Sequence, residues 1–153
     1  ALLGILAQRL AKRLCGKCKQ MYNPGPEEVK QMLQEYCSEL LHTTPFKKDP
    51  KTSYENVYKD LVKTYGNDKG QFTLYKAKGC EACGNTGYKG RAGLHELLIA
   101  SDPIKKLIQE HARVAEILAV CLEEGMRTLK MDGMEKVFQG ITDMAQVRAV
   151  CIK

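Results

Sequence analysis

Two short cysteine pairs, Cys15-Gly16-Lys17-Cys18 and Cys80-Glu81-Ala82-Cys83, hold the residues best suited to chemistry. Each is a C-x-x-C, a spacing that lets one tight turn present two thiolates on the same side. Together they supply four soft sulfur donors, which fills a tetrahedral structural zinc site and disfavours calcium or magnesium. Lys12, Arg13, Lys17 and Lys19 flank the first pair, and Lys76, Lys78, Lys89 and Arg91 the second. These cations would offset the net charge near −2 of a divalent ion bound by four thiolates. The two halves lie 61 residues apart, against roughly 15–20 in a compact zinc module, so a shared ion would close a long loop. A C-x-x-C can also be a redox dithiol, and free cysteines are often simply buried. Neither pair has a clear strand-to-helix context for redox work.

The rest of the chain bounds the possibilities. Its 153 residues suit one domain or two small ones, and 44% hydrophobic with 27% charged residues is the balance of a globular protein. No 18-residue apolar run offers a membrane span, and no basic-then-apolar leader with a cleavage site opens the sequence. Ala1 is not a start methionine, and the apolar pattern is already running there, which suggests a piece of a larger protein. Seven cysteines, an odd number with four in metal-type spacing, argue for a reducing compartment. A net charge of +6 suits nucleic acid, an acidic partner or an anionic membrane face and selects none of them.

Elements must bring the pairs together. Leu2, Leu3, Leu6, Leu10 and Leu14 recur at three- and four-residue steps, predicting a helix that Gly16 ends. Pro26 opens a second helix, whose stripe runs through Val29, Met32, Leu33, Tyr36, Cys37, Leu40 and Leu41. Thr43 to Lys51, with Pro45 and Pro50, reads as a loop. Thr52 and Glu55 fit a capping box for a helix carrying Tyr54, Val57, Tyr58, Leu61, Val62 and Tyr65. Gln71 to Lys76 alternates as a strand. Tyr88 to Ile99 reads as another, interrupted at Gly90 and Gly93, and the two suggest a twisted hairpin with the second cysteine pair at its tip. Four short helices follow, started at Asp102-Pro103, near Val114, at Thr128 and at Thr142. Cys37, Cys121 and Cys151 fall on apolar faces, as core thiols do.

The expected class is therefore α+β: mainly α-helical, with a tetracysteine zinc-bearing β-hairpin element, a helical insertion and a C-terminal helical bundle. The expected divisions are 1–23 (helix and first half-site), 24–70 (insertion), 71–100 (hairpin and second half-site) and 101–153 (bundle). The expected metal ligands are Cys15, Cys18, Cys80 and Cys83, around one structural zinc ion.

Catalytic patterns are missing from the sequence. There is no G-x-x-x-x-G-K-[ST] and no H-E-x-x-H. His42, His95 and His111 have no spaced nucleophile, and His95 reads as a structural histidine. Gly84, Gly87, Gly90 and Gly93 ease tight backbone turns and are not a dinucleotide fingerprint.

One ordered set of motifs is more specific than any of these signals alone. It comprises Leu6-Ala7-Gln8-Arg9-Leu10, Arg13-Leu14-Cys15, Cys18, Tyr75-Lys76-Ala77, Gly79-Cys80, Cys83, Thr86-Gly87-Tyr88, Gly90-Arg91, Gly93 and Glu96-Leu97-Leu98. Gly125-Met126-Arg127-Thr128-Leu129, Asp132-Gly133, Lys136-Val137, Gly140 and Thr142 continue it. This set resembles the C-terminal part of the ATPases that drive type II secretion and type IV pilus assembly, over nearly the whole chain except residues 24–70. The resemblance implies zinc on the four cysteines and a parent that is a cytoplasmic homohexameric motor, peripheral at the inner membrane. The parent's partners would be its own upstream ATPase domain, neighbouring subunits and a membrane platform for secretion or pili. Its ATP and Mg²⁺ site would lie upstream, so this stretch alone would not be catalytic. Two other readings stand beside it: a nucleic-acid-binding zinc protein, and a chaperone-type zinc module resembled by Cys80-Glu81-Ala82-Cys83-Gly84-Asn85-Thr86-Gly87, of which only one repeat is present.

Overall fold

Residues 2–151 are described by a computed structural model of the chain. The first element is a strand, not the expected helix. Strand β1 (Gly4–Leu14) pairs antiparallel with β4 (Tyr88–Ile99), from Gly4 opposite Ile99 to Leu14 opposite Tyr88. The apolar spacing misled because Leu2, Leu6, Leu10 and Leu14 are four apart, and a four-residue step repeats on one face of a strand as well as on a helix. A partner more than 70 residues away decides between them. Nor do the glycines break β4. Gly90 has φ +80° and faces Arg13 where the register shifts between Lys12 and Leu14, so it takes up a bulge inside a continuous strand.

The α+β class stands, but the strands flanking the second cysteine pair do not pair with each other. Strand β3 (Leu74–Lys76) instead pairs with β2 (Gln20–Tyr22), a strand that the sequence did not suggest. The chain thus runs β1, cysteine turn, β2 and later β3, cysteine turn, β4, and the two passes join antiparallel through both of their strands. The cysteine turns face each other at the crossing.

Between β2 and β3 lie three helices: α1 (Pro26–Cys37), a short α2 (Thr44–Lys48) and α3 (Pro50–Tyr65). The stretch expected to be a loop contains α2, because Pro45 and Pro50 each occupy a first helical turn, where the missing N–H costs nothing. Asp49, not Thr52, caps α3: its carboxylate accepts the Thr52 N–H at 3.2 Å and the Thr52 hydroxyl at 2.7 Å. The tyrosine stripe of α3 is half-buried packing. Tyr65 stacks on Phe138 at 5.5 Å between centroids, Phe72 meets Phe138 at 4.7 Å, and Tyr54 sets its ring edge-on to Phe46 at 5.2 Å. Met32, Tyr36, Cys37 and Leu61 join Leu74, Met131, Met134, Val137 and Val147 in one core.

Helices α4 (Asp102–Gln109), α5 (Val114–Glu123), α6 (Leu129–Phe138) and α7 (Met144–Val150) complete the fold. α4 packs on α5, and α6 on α7; the second pair also lies on the β1–β4 ribbon. Gly133 brings α6 close to the ribbon, since a Cβ there would sit 3.0 Å from the Leu94 and Val147 methyls. Thr128 caps α6 as expected. The cap of α7 is Asp143, one residue later than expected, because the Thr142 hydroxyl is turned inward to the Lys12 carbonyl at 2.8 Å. Arg148 of α7 grips Glu35 of α1 with two guanidinium nitrogens, and Lys130 lies 3.7 Å from the same carboxylate.

Two measurements check this packing. Leu94 is fully buried beneath Gly133, so Leu94→Ala should cost about 2–5 kcal/mol in chemical denaturation. The Arg148 hydrogen bonds hold the Glu35 carboxyl below its ordinary value. A depressed carboxyl stabilises the fold above its unfolded pKa of about 4.3 and loses that contribution as pH falls through the folded value. Glu35→Gln should therefore cost about 1 kcal/mol at pH 7, with Arg148 half in solvent, and the gap to the parent should close below about pH 4.

Candidate metal centre

In each cysteine pair the carbonyl of the first cysteine closes the turn by accepting two N–H groups. In the first, the Cys15 carbonyl accepts the N–H groups of Cys18 (3.3 Å) and Lys19 (3.0 Å). In the second, the Cys80 carbonyl accepts those of Cys83 (3.2 Å) and Asn85 (2.8 Å). Gly84 and Asn85 both adopt left-handed backbone at φ +63°, which curls the chain back under the sulfurs. A direct bond from Cys15 N–H to the Gly87 carbonyl, 2.9 Å, ties one turn to the other.

The four predicted ligands meet. Sγ of Cys15 lies 3.8 Å from Cys80, Cys18 lies 3.8 Å from Cys83, and Cys80 lies 3.8 Å from Cys83. All four sulfurs fall within 4.8 Å of one another. Disulfides would need about 2.05 Å. Four sulfurs around an ion with bonds of about 2.3 Å form a tetrahedron with edges of about 3.8 Å, so the cage has the size for one metal ion. It is the only such group of possible ligands among the described residues.

Backbone N–H groups aim at the sulfurs: Gly79 to Cys18 at 3.4 Å, and Cys80 and Gly87 to Cys83 at 3.2 Å each. Burial works against ionising Cys83, yet the Cys80 and Gly87 donors outweigh it and bring the thiol down to about 6. The Lys17 backbone N–H likewise draws Cys15 below its ordinary value. Burial instead pushes Cys18 up to about 11. Cys83 and Cys15 are thus easier to ionise than Cys18, and a cation would supply the drive to ionise the set. The same N–H groups would disperse the negative charge of the bound state. The donors Gly79 and Gly87 were not legible as such in the sequence, although Gly87 stood out as a turn residue.

The remaining candidates lie apart. Cys37 and Cys121 are buried, and burial pushes Cys37 up to about 12 and raises Cys121 and Cys151, which keeps these thiols protonated. His95 is exposed on the ribbon, and its backbone N–H donates to Asp132 at 2.9 Å. Register places Lys12 opposite Arg91 and Gln20 opposite Lys76, while Lys19 reaches the Gly140 carbonyl and Lys76 lies over the Tyr22 ring.

The sequence that builds this site matches a known family. The model of the family described as Type II/IV secretion system protein matches residues 1–149. The chain belongs to that family. It is 35% identical over 154 aligned residues to the type IV pilus assembly ATPase PilB of Thermus thermophilus, covering 100% of this chain and 14% of that relative. It is 33% identical to the type II secretion system ATPase E of Vibrio cholerae, covering 98% and 23%. A PilB of Pseudomonas aeruginosa is 32% identical, covering 95% and 20%. The chain therefore spans less than a quarter of each of these family members. Among the described residues, no helix is long and apolar enough to cross a membrane.

Two glycines of the second turn separate backbone preference from close packing. Both have positive φ, but a Cβ on Gly84 meets nothing within 4 Å, while one on Gly87 would lie 2.6 Å from the Ala77 Cβ. Gly84→Ala should cost about 1 kcal/mol. Gly87→Ala should cost clearly more, about 2 kcal/mol or above, and should weaken metal retention by displacing its N–H from Cys83. Thermal unfolding of the two variants side by side tests the ranking.

Proposed function

We propose that this chain is the zinc-binding structural and coupling portion of a secretion or pilus assembly ATPase. One zinc ion on Cys15, Cys18, Cys80 and Cys83 locks the two β passes together, so that they move as one rigid lever. The observation that carries the reading is the cage itself: four sulfurs from turns 61 residues apart, at the edge length that zinc–thiolate bonds require. The chain's own residues position the sulfurs, donate N–H groups to them and exclude water from Cys15; the ion would supply the cross-link. No P-loop stands in the sequence, so ATP and Mg²⁺ would be handled by another part of the motor.

The far end of the β1–β4 ribbon supports docking to that part. Leu6 opposite Leu97 and Gly4 opposite Ile99 share one face, with Leu6 62% and Ile99 66% exposed. Leu3, Ile5 and Leu10 are exposed nearby. An apolar patch of this kind on a strand pair calls for a covering partner, and the nucleotide-hydrolysing portion of the same motor is the partner we assign. Neighbouring subunits of a hexamer and an inner-membrane platform complete the proposed setting, on the cytoplasmic side.

Elemental analysis of the purified chain should give about one zinc per chain, released on thiol alkylation. In the full-length motor, Cys80→Ala should abolish zinc retention and secretion or pilus assembly. Normal assembly without the ion would overturn the coupling role. The net charge of +6, with basic residues flanking both pairs in sequence, favours a second reading, binding to nucleic acid. A salt-dependent shift of DNA or RNA by the zinc-loaded chain would support it; no shift at low salt would remove it.

A further inference from the structure

The turn Gly140–Asp143, between α6 and α7, takes its long-range hydrogen bonds from residues beside the metal ligands. Leu14 N–H donates to the Ile141 carbonyl at 2.9 Å. The Thr142 hydroxyl donates to the Lys12 carbonyl at 2.8 Å, and Lys19 Nζ donates to the Gly140 carbonyl at 2.9 Å. Tyr88 OH donates to the Asp143 carboxylate. At the third residue of α7, the Gln146 side-chain carbonyl accepts the Lys12 N–H at 3.0 Å. Every anchor lies within five residues of Cys15, Cys18 or Cys83.

The fit is close as well as polar. Lys19 also rests 4.3 Å from the centre of the Tyr75 ring, and the same ring lies 2.7 Å from where a Gly140 Cβ would stand. Thr142 is fully buried, so its hydroxyl has no water to replace the Lys12 carbonyl. Beyond the turn, α7 hands the constraint on through the Arg148–Glu35 pair to α1.

We propose that this turn is a clasp which makes the seating of α7, and through Arg148 that of α1, depend on metal in the four-cysteine cage. With the ion bound, residues 12–19 and 88 hold one geometry and the clasp is complete. Without it, the two cysteine turns separate, the anchors lose their common frame and α7 loosens. The device gives the motor a metal-dependent C-terminal helix, not merely a metal-stiffened β element. It rests on the cage binding zinc. By linkage, whatever the ion contributes to seating α7, a seated α7 contributes to holding the ion.

Hydrogen exchange by mass spectrometry on the 153-residue chain, zinc-loaded and chelator-stripped, reads the coupling. Removing zinc should speed exchange at 140–150 about tenfold or more while α4 and α5 change little. Thr142→Val, which keeps shape and drops the hydroxyl, should speed exchange at 140–150 with zinc still bound one per chain. The same variant should lose zinc to a chromophoric chelator at a several-fold lower chelator concentration. If the parent chain takes up no zinc, the metal reading itself fails. If it takes up zinc but Thr142→Val changes neither exchange at α7 nor zinc affinity, the cage stands and the clasp is overturned. Equal loss of protection along the whole stripped chain, with no effect of Thr142→Val, overturns it in the same way.

Discussion

Everything in this fold is arranged around bringing four sulfur atoms to within 4.8 Å of one another across a gap of 61 residues. Fixing two such distant points removes several kcal/mol of chain entropy from the unfolded state in the cross-link picture, on the order of 4 for a loop of this length. Hydrogen bonding between three-residue strands would not hold such a closure alone. The protein meets the requirement twice over, with β1 on β4 outside the cage and β2 on β3 inside it. Those ladders align the turns, and the turns in return pin strands too short to stand by themselves. The chain belongs to the family described as Type II/IV secretion system protein, and the cage sits within the matched residues 1–149.

The two cysteine turns share a closing carbonyl on their first cysteine but differ in the donors that reach their sulfurs. The second has the stronger set of donors, with two N–H groups on Cys83, and the first leaves Cys18 harder to ionise. Within the set, the thiolate form comes most easily to Cys83 and least easily to Cys18. The lysines and arginines around both turns favour the same charge state from a longer range.

The cage was legible because its information is local: two C-x-x-C pairs and the glycines after them encode the turns whatever the rest does. Helices α1, α3 and α6 were legible from apolar stripes that lie within one segment, although the cap of α3 is Asp49 and not Thr52. What failed was every choice settled by a distant partner. Leu6, Leu10 and Leu14 fit a helix as well as a strand, and only pairing with β4 selects the strand. Gln20–Tyr22 is too short and polar to announce itself, and becomes β2 only because Leu74–Lys76 lies alongside. Thr142 resembled a cap until the Lys12 carbonyl, 130 residues away, claimed its hydroxyl. The prolines at 45 and 50 misled for a different reason: the same residue that breaks a helix inside can begin one.

Tyr22 and Leu74 stand directly opposite each other where β2 ends and β3 begins, so the chain leaves and rejoins the sheet at neighbouring points, about 5 Å apart. Whatever is spliced between them has to satisfy that one boundary condition and nothing else at the cage. The sheet itself therefore sets no length for the segment at that junction; the three-helix lobe is held by its own packing on α6 and α7, through Met32, Tyr36 and Leu61 in the shared core and Glu35 on Arg148. Rewriting that lobe would leave the strand junction intact but open the core it helps to fill.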